Sequence, residues 1–254
     1  MQVTTEAIVL RRIPYADTSL VVHLFSAERG RITALAKGAF RPQSPHFGGL
    51  DLLDRIEARL VGRGDAGLLL LGSSALQSSP RSLRRDARRL AAALYSVELV
   101  DAALPAAPSP ILYHRFRAWL DWLDGIEDPS NGELARALAA FESHFLEDIG
   151  LAPVLERCAH DRRELDPAAA RIAYSVRAGG LLCESCARLA DRPPMVSASA
   201  AAWLRSLRTG EPAPPPSARD LAELRALLDR FHTYHLERTL RARPAIEALY
   251  RDRD

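Results

Sequence analysis

The sequence lacks a long apolar run, a signal peptide and the signature motifs of the common enzyme classes. The apolar stretch at residues 68–71 has the length of a strand and is far too short for a membrane helix. The N-terminus does not show the charged and then apolar order of a signal peptide. No P-loop, nucleophile-elbow or H-E-x-x-H motif occurs, so phosphate-loop ATPases and the motif-bearing hydrolases have no support. We therefore expect a cytoplasmic protein without a membrane segment.

Lysine is almost missing as well. Lys37 is the only lysine, so almost all of the 34 basic residues are arginines, while the formal net charge is only +2. A GC-rich genome is the simplest explanation for that bias, yet the guanidinium group still has the geometry to bind phosphate. Local clusters of arginine therefore say more about function than the total charge does.

The cysteines are few, and all three lie between residues 158 and 186. Such a cluster in a cytoplasmic protein indicates a metal or redox site rather than disulfides. Cys183 and Cys186 form a C-x-x-C pair that can bind one tetrahedral ion, and Cys158 is the natural third ligand. Where a complete ribbon would have a fourth cysteine, Asp161 keeps the spacing and is the favoured fourth ligand, with His160 as the alternative. A weak or empty site is the third interpretation.

The first eighty residues show the pattern of a small β-domain. Short runs rich in β-branched and aliphatic residues are separated by glycine and proline, with a hairpin loop at residues 26–30. A closed barrel of the OB type suits such a pattern, although an SH3-like barrel or a small sandwich would give a similar one. The predicted strands cover residues 3–10, 18–25, 31–36, 52–61 and 67–76.

The loop after the third strand, residues 37–47, combines cations with aromatic and polar side chains. It contains Lys37 and Arg41 as cations and Phe40 and Phe47 as aromatics. Sites for single-stranded nucleic acid combine cations along the phosphates with aromatic platforms for the bases. A connecting loop whose Phe40 or Phe47 packs into the barrel would have the same composition, so both interpretations stay open.

A second group of cations follows Pro80. If Ser82 caps a helix there, the spacing places five arginines on one helical face, opposite an apolar face. That face would bind an anionic partner, or it is a solvated face that Asp86 partly neutralises. Further helices joined by short links, at residues 111–123, 133–149, 197–208 and 218–240, indicate a bundle. The five arginines are Arg81, Arg84, Arg85, Arg88 and Arg89.

The order of barrel, bundle, cysteine-bearing insertion and long last helix resembles the bacterial DNA-repair RecO family along essentially the full length. The likeness rests on four segments and departs from a full zinc ribbon at Asp161. The segments are Ala7–Leu10, Ala36–Ala39 with Arg41 and Ser44, Phe145–Pro153, and Gly179–Cys186.

The resemblance implies an α+β protein without enzymatic turnover. An OB-fold barrel that binds DNA would span residues 1–80. An α-helical bundle would span residues 81–254, with a zinc-ribbon-like insertion at about residues 154–192. The insertion would hold a structural zinc ion.

The resemblance also implies a mediator of DNA repair and recombination, which we expect to associate with the nucleoid. Such a protein binds single- and double-stranded DNA, anneals complementary strands and helps RecA replace single-strand-binding protein, together with RecR and usually RecF. Lys37 and Arg41 would contact phosphates beside the barrel. An extension of that path rests on helical spacing alone and uses Arg81, Arg84, Arg85 and Arg88.

Two other functions compete with this one. The chain could be an adaptor that docks RecR and single-strand-binding protein without binding DNA, with an apolar groove rimmed by arginine for an acidic tail. It could also be a zinc-dependent enzyme acting on nucleic acid. Salt-dependent DNA binding argues against the first alternative, and metal analysis with a nuclease assay tests the second.

Overall fold

The computed structural model describes residues 2–46, 48–62, 67–104 and 107–250. The chain divides into two compact units, Met1–Glu127 and Asp128–Asp254. The first unit thus contains two helices in addition to the barrel, and a domain boundary at residue 80 stays a prediction. Within the described residues, no helix is both long enough and apolar enough to cross a membrane.

The first unit begins with a closed barrel of five strands. Neighbouring strands follow the order β1-β2-β3-β5-β4, and β4 closes the barrel by pairing with β1. All of these pairs are antiparallel except β3 with β5. This connectivity confirms the predicted OB-type barrel. The strands are β1 (Gln2–Tyr15), β2 (Ser19–Ser26), β3 (Gly30–Ala36), β4 (Arg55–Val61) and β5 (Leu69–Ser78).

Strand β1 is longer than predicted because it serves two partners. Its first half pairs with β4, and its second half pairs with β2 from Ile8 to Tyr15, with a register shift between Val9 and Arg11. The backbone amide of Val9 donates to the carbonyl of Asp54, which lies just before β4. A bulge of this kind bends a strand so that a small barrel can close. The exposed end of β1 therefore extends to the turn before β2.

The arginine segment after the barrel does not form the predicted helical face. Leu83–Arg85 is a single 3₁₀ turn, and helix α1 begins only at Ala87 and ends at Ala103. Asp86 has extended backbone and caps α1 by accepting the amides of Arg88 and Arg89, whereas Ser82 makes no capping hydrogen bond. Asp86 is the stronger cap because its carboxylate satisfies two amides that the helix leaves unpaired. Helix α2, Pro110–Gly125, completes the unit.

The second unit packs helices around a three-stranded sheet of order β7-β6-β8. Its core joins Leu146 of the first helix to Leu204 and Leu228 of the later ones. The last long helix ends at Leu236, four residues before the predicted end, because Glu237 adopts a left-handed conformation (φ 52°). The elements are α3 (Asn131–Asp148), β6 (Arg171–Ser175), β7 (Gly180–Leu182), α4 (Glu184–Arg188), β8 (Met195–Ser197), α5 (Ala198–Thr209), α6 (Ala218–Leu236) and α7 (Arg243–Ile246).

Candidate metal centre and nucleic-acid interface

Four side chains predicted as metal ligands meet at one point in the second unit. The sulfur atoms of Cys158, Cys183 and Cys186 and a carboxylate oxygen of Asp161 all lie within 4.8 Å of one another. All three cysteines are buried, while the Asp161 side chain is 24% exposed. His160 is exposed and is not part of this group. The geometry therefore favours Asp161 over His160 as the fourth donor.

A tight turn brings Asp161 back towards Cys158. The Cys158 amide donates to the Arg163 carbonyl at 2.8 Å, and the Arg162 amide donates to the Cys158 carbonyl at 3.0 Å. Arg162 takes the left-handed conformation (φ 66°) that such a turn needs. The Arg163 amide donates to the Asp161 carboxylate at 3.1 Å, which orients the carboxylate towards the thiols.

The other two donors lie at the start of α4. Cys183 is the residue before the helix, and Cys186 is in its first turn. The Cys186 amide hydrogen-bonds to the Cys183 sulfur, and the Ser185 hydroxyl lies 3.1 Å from the same sulfur. Such hydrogen bonds hold a ligating sulfur in place and tune its basicity.

Gly180 allows the two halves of the site to join. The Val154 amide donates to the Gly179 carbonyl, and the Leu181 amide donates to the Val154 carbonyl, at 2.8 and 2.9 Å. A Cβ on Gly180 would collide with the backbone of Val154. Only glycine therefore allows this close backbone approach, which joins the segment before Cys158 to the strand before Cys183.

The sulfur–oxygen separations match those of a tetrahedral zinc site. Zinc–sulfur bonds of about 2.3 Å and zinc–oxygen bonds of about 2.0–2.2 Å imply sulfur–oxygen edges of about 3.6 Å. The Asp161 Oδ2 atom lies 3.5 Å from the Cys183 sulfur and 3.3 Å from the Cys186 sulfur. Hydrogen bonds from the Cys158 thiol and the Arg163 amide hold the pKa of Asp161 well below its usual range. Burial and the hydrogen bond to Asp161 raise the pKa of the Cys186 thiol to about 12, a balance that a divalent cation reverses.

The predicted DNA-binding loop follows β3 in the first unit. Lys37 and Arg41 are both exposed, and Gly38 between them is left-handed (φ 67°). The Arg41 amide donates to the Gly38 carbonyl at 3.0 Å, and the Arg41 side chain passes over Gly38. Among the described residues, neither cation has a carboxylate partner. The structure therefore presents two unpaired positive charges on one tight turn.

An open groove runs beside this turn. Phe40 is 52% exposed, so it does not pack into the barrel, and Phe47 lies outside the described residues. The sequence does not predict Tyr15 as a site residue, because Tyr15 falls between two predicted strands. The only feature that could have indicated it is an aromatic residue at the edge of a turn. The groove is lined by Tyr15, Thr18, Ser19, Leu35, Lys37, Gly38, Arg41, Gln43, Ser44 and Pro45.

The arginines after the barrel have separate environments. Arg84 donates to the Leu52 carbonyl and lies 3.3 Å from the buried Asp54 carboxylate. Arg88 pairs with Asp86 at 3.1 Å. Arg89 is buried and donates to backbone carbonyls, including that of Ile126 at 2.8 Å. The predicted cation face is therefore divided. Of its five arginines, only Arg81 and Arg85 are exposed without a carboxylate partner among the described residues.

Two family descriptions match consecutive parts of the chain. The family described as Recombination protein O N terminal matches residues 1–78, and Recombination protein O C terminal matches residues 84–244. The chain belongs to the RecO family. This membership confirms the resemblance found in the sequence and supports a role in DNA repair and recombination.

Curated relatives agree with that assignment, and each is named DNA repair protein RecO. The relative from Geobacter metallireducens is 35% identical over 240 residues, covering 93% of this chain and 93% of that protein. The relative from Rhodopirellula baltica is 34% identical over 219 residues, covering 84% and 77%. The relative from an Anaeromyxobacter species (strain K) is 33% identical over 258 residues, covering 98% and 97%.

The two RecO matches divide the candidate sites between them. The N-terminal match ends at the last residue of β5 and contains the loop with Lys37 and Arg41. The C-terminal match contains all four candidate metal donors. Each RecO region therefore carries one candidate site.

Proposed function

We propose that this RecO-family chain is a recombination mediator that binds single- and double-stranded DNA and anneals complementary strands. With RecR and RecF it helps RecA replace single-strand-binding protein. It acts by binding rather than by catalysis. The observation that carries this proposal is the pair of exposed, carboxylate-free cations, Lys37 and Arg41, beside an OB-type barrel in a RecO chain.

Contacts to phosphate explain how such a surface works without reading sequence. Each cation that neutralises a phosphate releases a counterion, so affinity falls steeply with salt. A surface that lowers the repulsion between two strands also favours their annealing. Arg81, Arg84, Arg85 and Arg88 extend the path. Arg81 and Arg85 contribute most because the other two already have carboxylate partners.

The metal centre has a structural role in this proposal. Cys158, Asp161, Cys183 and Cys186 hold one zinc ion, whose binding energy stabilises the module around β6 and β7. The short separations of their donor atoms support this assignment. The chain's own residues hold the turn at Cys158 and the start of α4 in the geometry that the ion needs.

A salt series with a double variant tests the DNA-binding proposal. Lys37→Ala with Arg41→Ala is expected to weaken binding to a fluorescent oligonucleotide and to lower the slope of log K against log salt by about 1.4 on single strands. Arg29→Ala with Arg59→Ala removes the same charge from two other barrel cations that, within the described residues, lack a carboxylate partner, and is the matched control.

The control variant is expected to keep a slope close to that of the native protein. Equal slopes for the native protein and the Lys37/Arg41 variant would remove this loop from the binding site. A native protein with no salt-dependent DNA binding would overturn the proposal and favour the adaptor function, in which the chain docks RecR and single-strand-binding protein.

A further inference from the structure

Tyr15 is an exposed aromatic residue that shares a groove with both loop cations. It is the last residue of β1, and 57% of its surface is exposed. The other tyrosines described in this unit, Tyr95 and Tyr113, are 0% and 2% exposed. Single exposed aromatics are common on protein surfaces, so exposure alone assigns no role to Tyr15. Its position in one groove with Lys37 and Arg41 is what indicates a role.

The turn that carries Tyr15 is bonded directly to the cation loop. Tyr15 pairs with Ser19 across the turn between β1 and β2. The Gly38 amide donates to the Ser19 hydroxyl at 3.3 Å, and the Phe40 amide donates to the Thr18 carbonyl at 3.0 Å. These bonds join the turn after Tyr15 to the backbone of the loop that carries the two cations. The two loops that line the groove are therefore held together by hydrogen bonds.

An aromatic ring next to unpaired cations matches the needs of single-stranded DNA. Cations follow the phosphates of either DNA form, because both forms expose their backbone. A base can stack on a protein ring only when it has left its own stack, as in a single strand. The groove is also lined by hydroxyl and amide groups, such as those of Ser44 and Gln43. Such groups suit the hydrated backbone of a DNA strand rather than an apolar ligand.

We infer that Tyr15 is the base-stacking platform of this groove and the residue that makes the site favour single-stranded over double-stranded DNA. The inference rests on the proposed DNA binding and adds to it the DNA form that the site selects. Lys37 and Arg41 supply the salt-dependent part of the affinity, and Tyr15 supplies a part that salt does not change. The two contributions are separable by experiment.

The test measures full-length Tyr15→Ala and Tyr15→Phe on three probes: an oligothymidylate, an abasic oligonucleotide of equal length and a duplex. Tyr15→Ala is expected to lose at least about fivefold in affinity for oligothymidylate, with an unchanged salt slope. Its affinity for the abasic strand and the duplex stays that of the native protein. Tyr15→Phe keeps the ring and retains binding. Tyr234→Ala, which removes a tyrosine with 48% exposure from α6, is the matched control and changes none of the three affinities.

Two outcomes overturn the inference while leaving DNA binding intact. Native affinity of Tyr15→Ala for oligothymidylate removes the ring from the site. An equal loss on all three probes shows that the ring acts on the fold or the backbone and not on bases. Failure of the proposed function looks different, because the salt slope of the Lys37/Arg41 variant then equals that of the native protein. Circular dichroism of each variant excludes unfolding as the cause of a loss.

Discussion

The candidate metal centre and the barrel groove use polar side chains in opposite ways. In the candidate metal centre, three buried thiols and one carboxylate converge within 4.8 Å. In the groove, Lys37 and Arg41 lie exposed and, within the described residues, have no carboxylate partner. Side chains that converge inward hold a structure together. Side chains that keep their charge exposed are available to bind an external partner.

The arginine segment after the barrel shows that the role of an arginine depends on whether a carboxylate pairs with it, and not on its charge alone. Arg84 neutralises Asp54, whose surface is only 2% exposed, so its charge serves the fold. Arg85 is adjacent in sequence and exposed. A count of arginines treats the two as equal, whereas their surroundings separate an arginine paired with a buried carboxylate from one that is exposed.

Loss of the C-x-x-C pair should have the largest effect on this comparison. Cys183→Ser with Cys186→Ser is expected to abolish metal binding and to lower the free energy of unfolding by about 4 kcal/mol or more, because metal-binding energy becomes folding energy in such a site. Element analysis and thermal unfolding measure both effects. Ser185→Ala is the control and should weaken metal binding without abolishing it. An unchanged melting temperature in the double variant would contradict a structural role for the metal.

Gly180→Ala should have the second largest effect, because its Cβ would collide with the Val154 backbone. Forcing an atom into so close a contact is expected to cost about 3 kcal/mol, measured by chemical denaturation. Gly179→Ala is the matched control, since a Cβ there meets nothing within 4 Å and only the left-handed backbone (φ 82°) is strained. We expect about 1 kcal/mol for the control. Equal costs for the two glycines would show that the close approach to Val154 does not constrain the module.

Asp161 and His160 offer a third test, which concerns the fourth ligand. Asp161→Ala is expected to weaken zinc binding at least about tenfold, because it removes a donor from the tetrahedron. His160→Ala is expected to leave the zinc affinity unchanged, since His160 lies outside the group of donors. Competition with a chromogenic chelator measures both. A larger loss for His160→Ala would reverse the assignment.

The smallest expected effect separates Arg84 from Arg85. Arg84→Ala should destabilise the first unit by about 1 kcal/mol, because Asp54 loses a partner but keeps the Ser79 hydroxyl and the Asp51 amide. Arg85→Ala should change stability by less than about 0.5 kcal/mol and should lower the salt slope of DNA binding. Denaturation and a salt series measured on both variants would show this crossover. A lower slope for Arg84→Ala alone would contradict it.

Local patterns in the sequence predicted the barrel and the grouping of Cys158, Asp161, Cys183 and Cys186. Alternating burial along β3 and β4 and the fixed spacing of a metal turn are both short-range features. The predicted arginine face was wrong because helical spacing has meaning only inside a helix. A capping carboxylate at Asp86 starts α1 after most of those arginines have passed.

Other features had no pattern to reveal them. The buried Glu142 carboxylate accepts a hydrogen bond from Arg225 at 2.7 Å, although the two residues are 83 positions apart. Tyr15 joins the groove only because β1 continues beyond its predicted end and turns beside the cation loop. Contacts of this kind form where segments that are distant in sequence lie side by side in the fold. The residues of either segment alone do not predict the contact.

Residue spacing was therefore enough to predict the family, the strand pattern and the four candidate metal donors, since each depends on neighbours within a few positions. The tertiary structure decided which cations have no carboxylate partner among the described residues and which aromatic side chain lies beside them. The physical reason is that pairing and burial are properties of three-dimensional neighbours: Arg84 meets Asp54 across 30 positions, while Lys37 and Arg41 meet no carboxylate among the described residues.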